Sequence, residues 1–257
     1  MKIALLQGDI TWNSALDNLA RYEKLLDVAL KESPTLILLP EMFTTGFSFP
    51  QGDFAQKACK VGSHHLENAA KDHKIYIAGS LPLIVPPETR PFNALRIYGP
   101  DGHLADYSKL HLFSLDGEEQ HYRKGERTIT LPILDFRVSF SICYDLRFPQ
   151  LYSSIAPQTD LFVVCANWPE VRQQHWETLL RARAIENQAF VAGVNRVGKG
   201  GNGLTYAGGS MIISPRGEIL AQADNTEQIL QADLNLEEVK KWRDTLSCLK
   251  DRREDVY

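Results

Sequence analysis

Two distant segments of this chain carry one pattern, "ALRIYGPDGHLADYSK" (Ala94–Lys109) and "GSMIISPRGEILAQAD" (Gly209–Asp224). Each is a pair of β-forming runs around a Pro-x-Gly turn, Pro100-Asp101-Gly102 in the first and Pro215-Arg216-Gly217 in the second. Each therefore predicts a hairpin. Around them, compact apolar runs alternate with helix-period runs. The strand candidates are "KIALLQGDI", "TLILLPEMF", "IYIAGSLPLIV", "RVSFSICYD", "LFVVCANWP" and "AFVAGVNRV". "SALDNLARYEKLLDVALKE" sets Leu16, Leu19, Leu25, Leu26 and Ala29 near a helical period, with Ser14 as its cap. "QQHWETLLRARAIENQ" sets Trp176, Leu179, Leu180 and Ala184 on one face. A plain doubly wound sheet has no place for the hairpins. The pattern predicts two similar halves, each with parallel-type strands plus an antiparallel hairpin. They pack as a single α/β domain over residues 1–257, with two sheets between helical layers and a polar tail from about residue 240.

Bulk properties narrow the function. With 257 residues the chain can bury a real core. Its net charge of −4 comes with scattered Lys and Arg, so no clustered basic face points to nucleic acid. No apolar run has the length of a membrane span. "MKIALLQGDITW" reads as a first strand and not as a signal peptide, so a cytoplasmic location is expected. Cys59, Cys143, Cys165 and Cys248 are far apart, with no C-x-x-C pair. A reduced protein fits better than a disulfide framework or a zinc site, and no metal is expected.

In layered α/β folds, ligands bind beyond the carboxyl ends of strands. Glu41 follows "LILLP", Lys109 follows "HLADYS" and Cys143 follows "VSFSI". Each alone has an ordinary explanation: a cap, a surface cation, a packed thiol. Together they suffice for acyl transfer. A thiol is already a good nucleophile. A carboxylate can take its proton and later activate water. An ammonium can stabilise the oxyanion, and beside the thiol it would also favour thiolate.

"LPEMFTTGF" (Leu39–Phe47), "YSKLHLF" (Tyr107–Phe113), "ICYDLRFP" (Ile142–Pro149) and "ANWP" (Ala166–Pro169) stand in the order found in the nitrilase, or carbon–nitrogen hydrolase, superfamily. The chain resembles that family from its first strand to about Asp233. The resemblance implies a four-layer α-β-β-α sandwich with two mixed sheets, a homodimer or larger homo-oligomer, and no cofactor. It implies Glu41 as general base, Lys109 as oxyanion-stabilising cation, Cys143 as nucleophile and the Tyr144 backbone N–H as a second oxyanion donor. It also implies a second glutamate that holds the lysine. Glu118, seven residues before Gly125, suits the family spacing better than Glu119. Asp145 and Arg147 are expected to tie the turn and to anchor the helix through an ion pair. Cys165 reads as packing, and Cys59 and Cys248 as incidental.

Within the superfamily the chain looks most like the bacterial omega-amidase branch. That implies hydrolysis of the terminal amide of 2-oxoglutaramate or 2-oxosuccinamate, the keto products of transamination linked to methionine salvage. The implied partner is a small-molecule amide, with neither nucleic acid nor membrane. Such a substrate has a carboxylate opposite its amide. Arg172 is the candidate cation for it, with a helix-start surface arginine as the alternative. Phe47, Phe113 and Trp168 are candidates for an apolar wall, with core packing as the rival. His175 offers a Cys–His pairing but starts an amphipathic helix. The same triad would also serve an N-carbamoyl amino acid or another small aliphatic amide, and a noncatalytic member of the fold is the third alternative.

Overall fold

The computed structural model describes residues 1–253, 255 and 256. Of the expected polar tail, Glu254 and Tyr257 lie outside the described residues. The strands are β1 (Lys2–Gln7), β2 (Leu36–Leu38), β3 (Tyr76–Leu83), β4 (Phe92–Gly99), β5 (Gly102–Ser108), β6 (Thr130–Ile133) and β7 (Phe136–Ile142). They continue as β8 (Leu161–Cys165), β9 (Phe190–Val194), β10 (Val197–Lys199), β11 (Thr205–Ala207), β12 (Met211–Ile213), β13 (Ile219–Gln222) and β14 (Gln228–Asp233). The helices are α1 (Ala15–Leu30), α2 (Gly52–His73), α3 (Glu118–His121), α4 (Pro149–Ile155), α5 (Gln173–Asn187) and α6 (Leu236–Thr245).

Both expected hairpins form, as β4–β5 and β12–β13. They belong to two six-stranded mixed sheets, ordered β14-β1-β2-β3-β4-β5 and β6-β7-β8-β9-β12-β13. Across the first sheet, neighbours pair antiparallel, parallel, parallel, antiparallel, antiparallel. Across the second the sequence of pairings is the same. The two halves read from the hairpin motif are thus two copies of one sheet topology.

Strand side chains alternate, and the cores follow that alternation. Ile3, Leu5, Leu36 and Leu38 of the first sheet meet Val138, Phe140, Ile142 and Val163 of the second in the central core. The intervening residues Ala4, Leu6 and Ile37 pack under α1 and α2 with Tyr22, Leu26 and Leu66. On the far side, Phe162, Val164 and Val191 pack under α4 and α5 with Tyr152, Trp176 and Leu180. The result is a four-layer α-β-β-α sandwich.

Two local expectations need correction. Ser14 does not cap α1; its hydroxyl is turned to the Asp17 carboxylate at 2.6 Å. Leu16 is 73% exposed, because Asn18 takes the inward position. The Asn18 amide bonds Thr11 N and O and Thr44 O, which fastens the helix start to the loop after β2. The polar tail begins within a helix. Helix α6 overlaps its start, buries Val239, and sends Arg243 to the carbonyls of Thr159 and Gln188. Helix α2, rich in Ala, Lys and His, has too few large apolar residues to stand out in the sequence.

Candidate active site

The ends of β2, β5, β7 and β8 converge on one cavity, lined among others by Glu41, Lys109, Cys143 and Asn167. Cys143 begins a 3-10 turn that runs to Arg147, directly after β7. Its φ is +45°, a left-handed conformation that costs a side-chain-bearing residue energy. The neighbouring backbone must impose it, and Asp145 is the means. Its buried carboxylate accepts from Ile142 N at 3.0 Å, Tyr107 Oη at 2.7 Å and His111 N at 2.9 Å, and it meets His111 Nδ1 at 2.8 Å. Tyr107 and His111 flank Lys109, so one carboxylate joins the cysteine turn to the lysine segment. Asp145 ties the turn as expected.

Lys109 is wholly buried. Its Nζ lies 3.0 Å from Glu41 Oε1 and 2.8 Å from Glu118 Oε2. Asn93 Nδ2 donates to the same two carboxylates at 2.8 and 3.2 Å. Phe113 N donates to Glu118 at 2.6 Å, and Asn167 N donates to Glu41 Oε2 at 2.8 Å. The Asn167 side-chain amide also donates to the Glu41 carbonyl. Glu118 is buried in this network, while Glu119 is exposed. Gly125 fixes the approach of the intervening loop. Its N–H donates to Lys109 O at 2.8 Å, and a Cβ there would meet Ser108 O at 2.1 Å.

The charges are strongly coupled. Burial opposes the Lys109 ammonium, but Glu118 and Glu41 outweigh it and hold its pKa above the ordinary lysine range. Burial raises the Glu118 pKa, with Lys109 opposing and Glu41 adding. Burial, then the Glu41 charge, push the Cys143 thiol well above its usual value against the pull of Lys109. The ammonium does favour thiolate, as expected, but burial and the Glu41 charge outweigh it. A pKa shifted in this direction favours the neutral thiol over the thiolate.

Phe47, Phe113, Trp168 and Arg172 all line the cavity with Cys143, and so does Tyr144. Phe47 lies with its ring centroid 5.1 Å from Lys109 Nζ. His175 is exposed, is not among the lining residues, and bonds Arg147 at 3.1 Å. The structure therefore does not bring it to Cys143. Cys165 is fully buried in the central core, opposite Ile142 in register. Cys59 is buried and Cys248 exposed.

Arg147 departs from its expected ion pair. Its guanidinium lies 4.7 Å over the Trp168 ring and lines the cavity. Sequence reasoning also missed Asn93, Asn167 and Tyr206. Asn93 stood out only as an amide in an apolar strand, and Asn167 only as a letter in "ANWP". Tyr206 arrives from the β10–β11 ribbon with no signal at all. Among the described residues, no trio of His, Cys, Asp or Glu is grouped to hold a metal ion. Among them, too, no helix is long and apolar enough to cross a membrane.

Comparison with known proteins adds four findings. The carbon-nitrogen hydrolase family profile matches residues 2–244. The omega-amidase YafV of Yersinia enterocolitica is 38% identical over 252 residues, covering 98% of this chain and 96% of the relative. The 2-oxoglutaramate amidase of Bacillus subtilis is 32% identical over 259 residues, covering 99% and 98%. Among solved structures, a CN-hydrolase superfamily protein from Xanthomonas campestris superposes with a TM-score of 0.89. It is 33% identical, with 99% of this chain and 97% of that one covered, and it carries an arsenic adduct in its active site.

Proposed function

Because the chain belongs to the carbon–nitrogen hydrolase family, we propose that it is an amidase for the terminal amide of a small 2-oxo dicarboxylic acid monoamide. 2-Oxoglutaramate and 2-oxosuccinamate are the substrates in view. The observation that carries this reading is one buried ammonium, Lys109, clamped by Glu41 and Glu118 beside Cys143, with Arg172 on the same cavity.

Cys143 Sγ attacks the amide carbon while Glu41 accepts the thiol proton. A neutral thiol suits this step, since the proton leaves as the C–S bond forms. The carbonyl oxygen becomes an oxyanion facing the Lys109 ammonium and the Tyr144 N–H; one such donor is typically worth about 3–4 kcal/mol. The tetrahedral adduct collapses, the C–N bond breaks, and Glu41 returns the proton to nitrogen as ammonia leaves. Water then attacks the thioester with Glu41 as base, releasing the carboxylate and restoring the thiol. Glu118 holds Lys109 in place through both steps. Phe47, Phe113 and Trp168 enclose the short chain, and Arg172 takes the remote carboxylate.

Family resemblance further supports one catalytic domain acting as a homo-oligomer in the cytoplasm, on keto products linked to methionine salvage. An N-carbamoyl amino acid also has a carboxylate for Arg172 and is the rival substrate. Ammonia release decides between them. The expected order is 2-oxoglutaramate well above glutamine, asparagine, an N-carbamoyl amino acid and a simple nitrile. Faster turnover of the N-carbamoyl compound would replace the substrate. Absence of ammonia from every amide would overturn the enzyme reading.

A further inference from the structure

Two polar residues stand at core positions of the first sheet. Ser80 on β3 shares the strand parity of Ala78, and Asn93 on β4 that of Leu95 and Ile97, which all pack in the central core. Both are wholly buried. A buried polar side chain costs energy unless it is bonded, and these two are bonded in one chain of fixed direction. Met42 N donates to Ser80 Oγ at 2.9 Å. A backbone N–H can only donate, so the Ser80 hydroxyl accepts there and turns its own proton to Asn93 Oδ1 at 2.7 Å. That fixes which way round the Asn93 amide stands. Its Nδ2 donates to Glu41 Oε1 at 2.8 Å and to Glu118 Oε1 at 3.2 Å. Met42 directly follows Glu41 and has a φ of +48°, so the chain begins on the strained backbone that carries the base.

The two oxygens of Glu41 are unequally filled. A carboxylate has about four acceptor sites, two on each oxygen. Oε1 takes two bonds, from Asn93 Nδ2 and from Lys109 Nζ at 3.0 Å. Oε2 takes one from nitrogen, Asn167 N at 2.8 Å. The carbonyl of the same Asn167 lies 3.8 Å from Cys143 Sγ, so one residue touches both Oε2 and the thiol. The open site of the base is therefore on the oxygen beside the nucleophile. We propose that Ser80 and Asn93 are positioning residues for the general base: they close Glu41 Oε1 to protons and direct the thiol proton to Oε2. The inference rests on the amidase reading above and extends it to the path of one proton. The S–H bond breaks as the C–S bond forms, and the proton goes to Oε2. As the C–N bond breaks, Oε2 returns that proton to nitrogen. The water that attacks the thioester later gives its proton to the same oxygen.

The test is a double-mutant cycle on ammonia release from 2-oxoglutaramate. Asn93→Leu nearly keeps the side-chain size and removes the donors. It should lower kcat about 30-fold or more and leave KM within about threefold, since Asn93 is not among the cavity-lining residues. In a Glu41→Gln background the same substitution should cost less than about threefold, because a residue that acts through Glu41 has nothing left to act on. Equal losses in the two backgrounds, or a loss confined to KM, would overturn the proposal. Ser80→Ala should follow the same pattern at about fivefold or more, and Ser80→Thr, which keeps the hydroxyl, should restore most of the activity. Full activity in Ser80→Ala would overturn the pair. A second readout needs no turnover. The Glu41 charge raises the Cys143 thiol pKa, and a carboxylate that loses a donor is less neutralised. Iodoacetamide should label Cys143 about threefold more slowly at pH 8 in Asn93→Leu, and at an unchanged rate when that substitution is added to Glu41→Gln. If the wild type hydrolyses no amide, the amidase reading fails, and labelling alone decides. The same change in both backgrounds, or none in either, then overturns the positioning role too. If Asn93→Leu does not fold, Ser80→Ala and Ser80→Thr are read by the same cycle.

Discussion

The two halves of the molecule share one sheet topology and use it differently. Take the residue after each equivalent strand. After β7 it is Cys143, and after its counterpart β1 it is Gly8. After β5 it is Lys109, and after its counterpart β13 it is Ala223. Beyond β2 stands Glu41, and beyond its counterpart β8 stands Asn167, whose N–H holds the Glu41 carboxylate. Under the proposed function, each strand end is thus reactive in one copy and structural in the other. In the first half, the counterpart of the cysteine turn is a tie. Gln7, just before Gly8, is buried and bonds Asp224 O, Thr226 O and Ser210. The lesson is that topology supplies places, while burial and hydrogen bonding decide which place becomes chemical. The first half contributes locked charge, and the second contributes a strained thiol and the cavity arginines.

The largest effect should come from exchanging the fates of two cysteines in the second half. Cys143→Ala is expected to lower ammonia release on the order of 10⁴-fold or more, with the fold retained in circular dichroism. Cys165→Ala, one strand over and wholly in the core, should keep activity and lose roughly 1 kcal/mol of stability. Full activity in Cys143→Ala would remove the distinction between reactive and structural positions altogether.

Glu41→Gln separates charge from chemistry. Amide turnover should fall about 10²–10⁴-fold, because the proton acceptor is gone. Alkylation of Cys143 should move the other way. The Glu41 charge is the second cause, after burial, of the raised thiol pKa. Removing it lowers that pKa and raises the thiolate fraction at any pH below it. Iodoacetamide should therefore label the variant several-fold faster at pH 8 than the wild type, whose rate climbs only above the ordinary thiol range near 8.5. Slower labelling in Glu41→Gln would contradict the assigned direction.

Lys109→Met tests the locked charge of the first half. It leaves Glu41 and Glu118 buried together without their cation. Loss of one partner of a buried ionic group typically costs roughly 3–5 kcal/mol. The pH dependence has a definite sign. Glu118 has a raised pKa in the folded state, so its favourable contribution is present below the unfolded value. That contribution is lost as pH rises through the folded value. Lys109 counters this shift, so its removal raises the Glu118 pKa further. Urea melts should find the variant's deficit smaller at pH 5 than at pH 8, and Lys109→Met with Glu118→Gln should recover part of it. A deficit that does not vary with pH would mean that the carboxylates find other partners.

Much of this was legible in the sequence, for reasons that lie in particular residues. The hairpins follow from Pro-x-Gly turns between β-formers, and the buried strands from unbroken apolar runs. Those signals are local. The second-sheet helix face of Trp176, Leu180 and Ala184 was legible because apolar spacing alone positions it. Helix α1 was half legible, because Asn18 faces inward to bond a loop that no local window contains. The same limit applies at the cavity. Glu41, Lys109 and Cys143 stand out as polar residues at strand ends. Asn93 and Asn167 act through hydrogen bonds to groups distant in sequence, and Arg147 was misread because a charged residue near a helix start usually pairs. Its aromatic platform, Trp168, comes from another strand end.

The smallest expected effect lies at the opposite ends of the strands. Asp160 precedes β8, where its counterpart before β2 is the uncharged Thr35. Arg137 of β7 holds Asp160 through Nε at 2.9 Å and Nη2 at 2.7 Å, and Arg243 of α6 approaches at 3.6 Å. Burial opposes the Asp160 charge, but bonds from Arg137 prevail and lower its pKa below the ordinary 3.8. A lowered carboxylate contributes stability above its unfolded pKa and loses it as pH falls through the folded one. The Arg137 side chain is 47% exposed, so solvent screens the pair and the contribution is roughly 1 kcal/mol or less. Arg137→Gln should therefore lower stability at pH 7 by that roughly 1 kcal/mol or less and flatten the loss below about pH 4 by the same amount. Activity should follow the wild type, since this end of the sheet is remote from the cavity. An acid limb as steep in Arg137→Gln as in the wild type would assign the clamp to Arg243. The second sheet would then depend on α6, the helix that follows β14 of the first sheet.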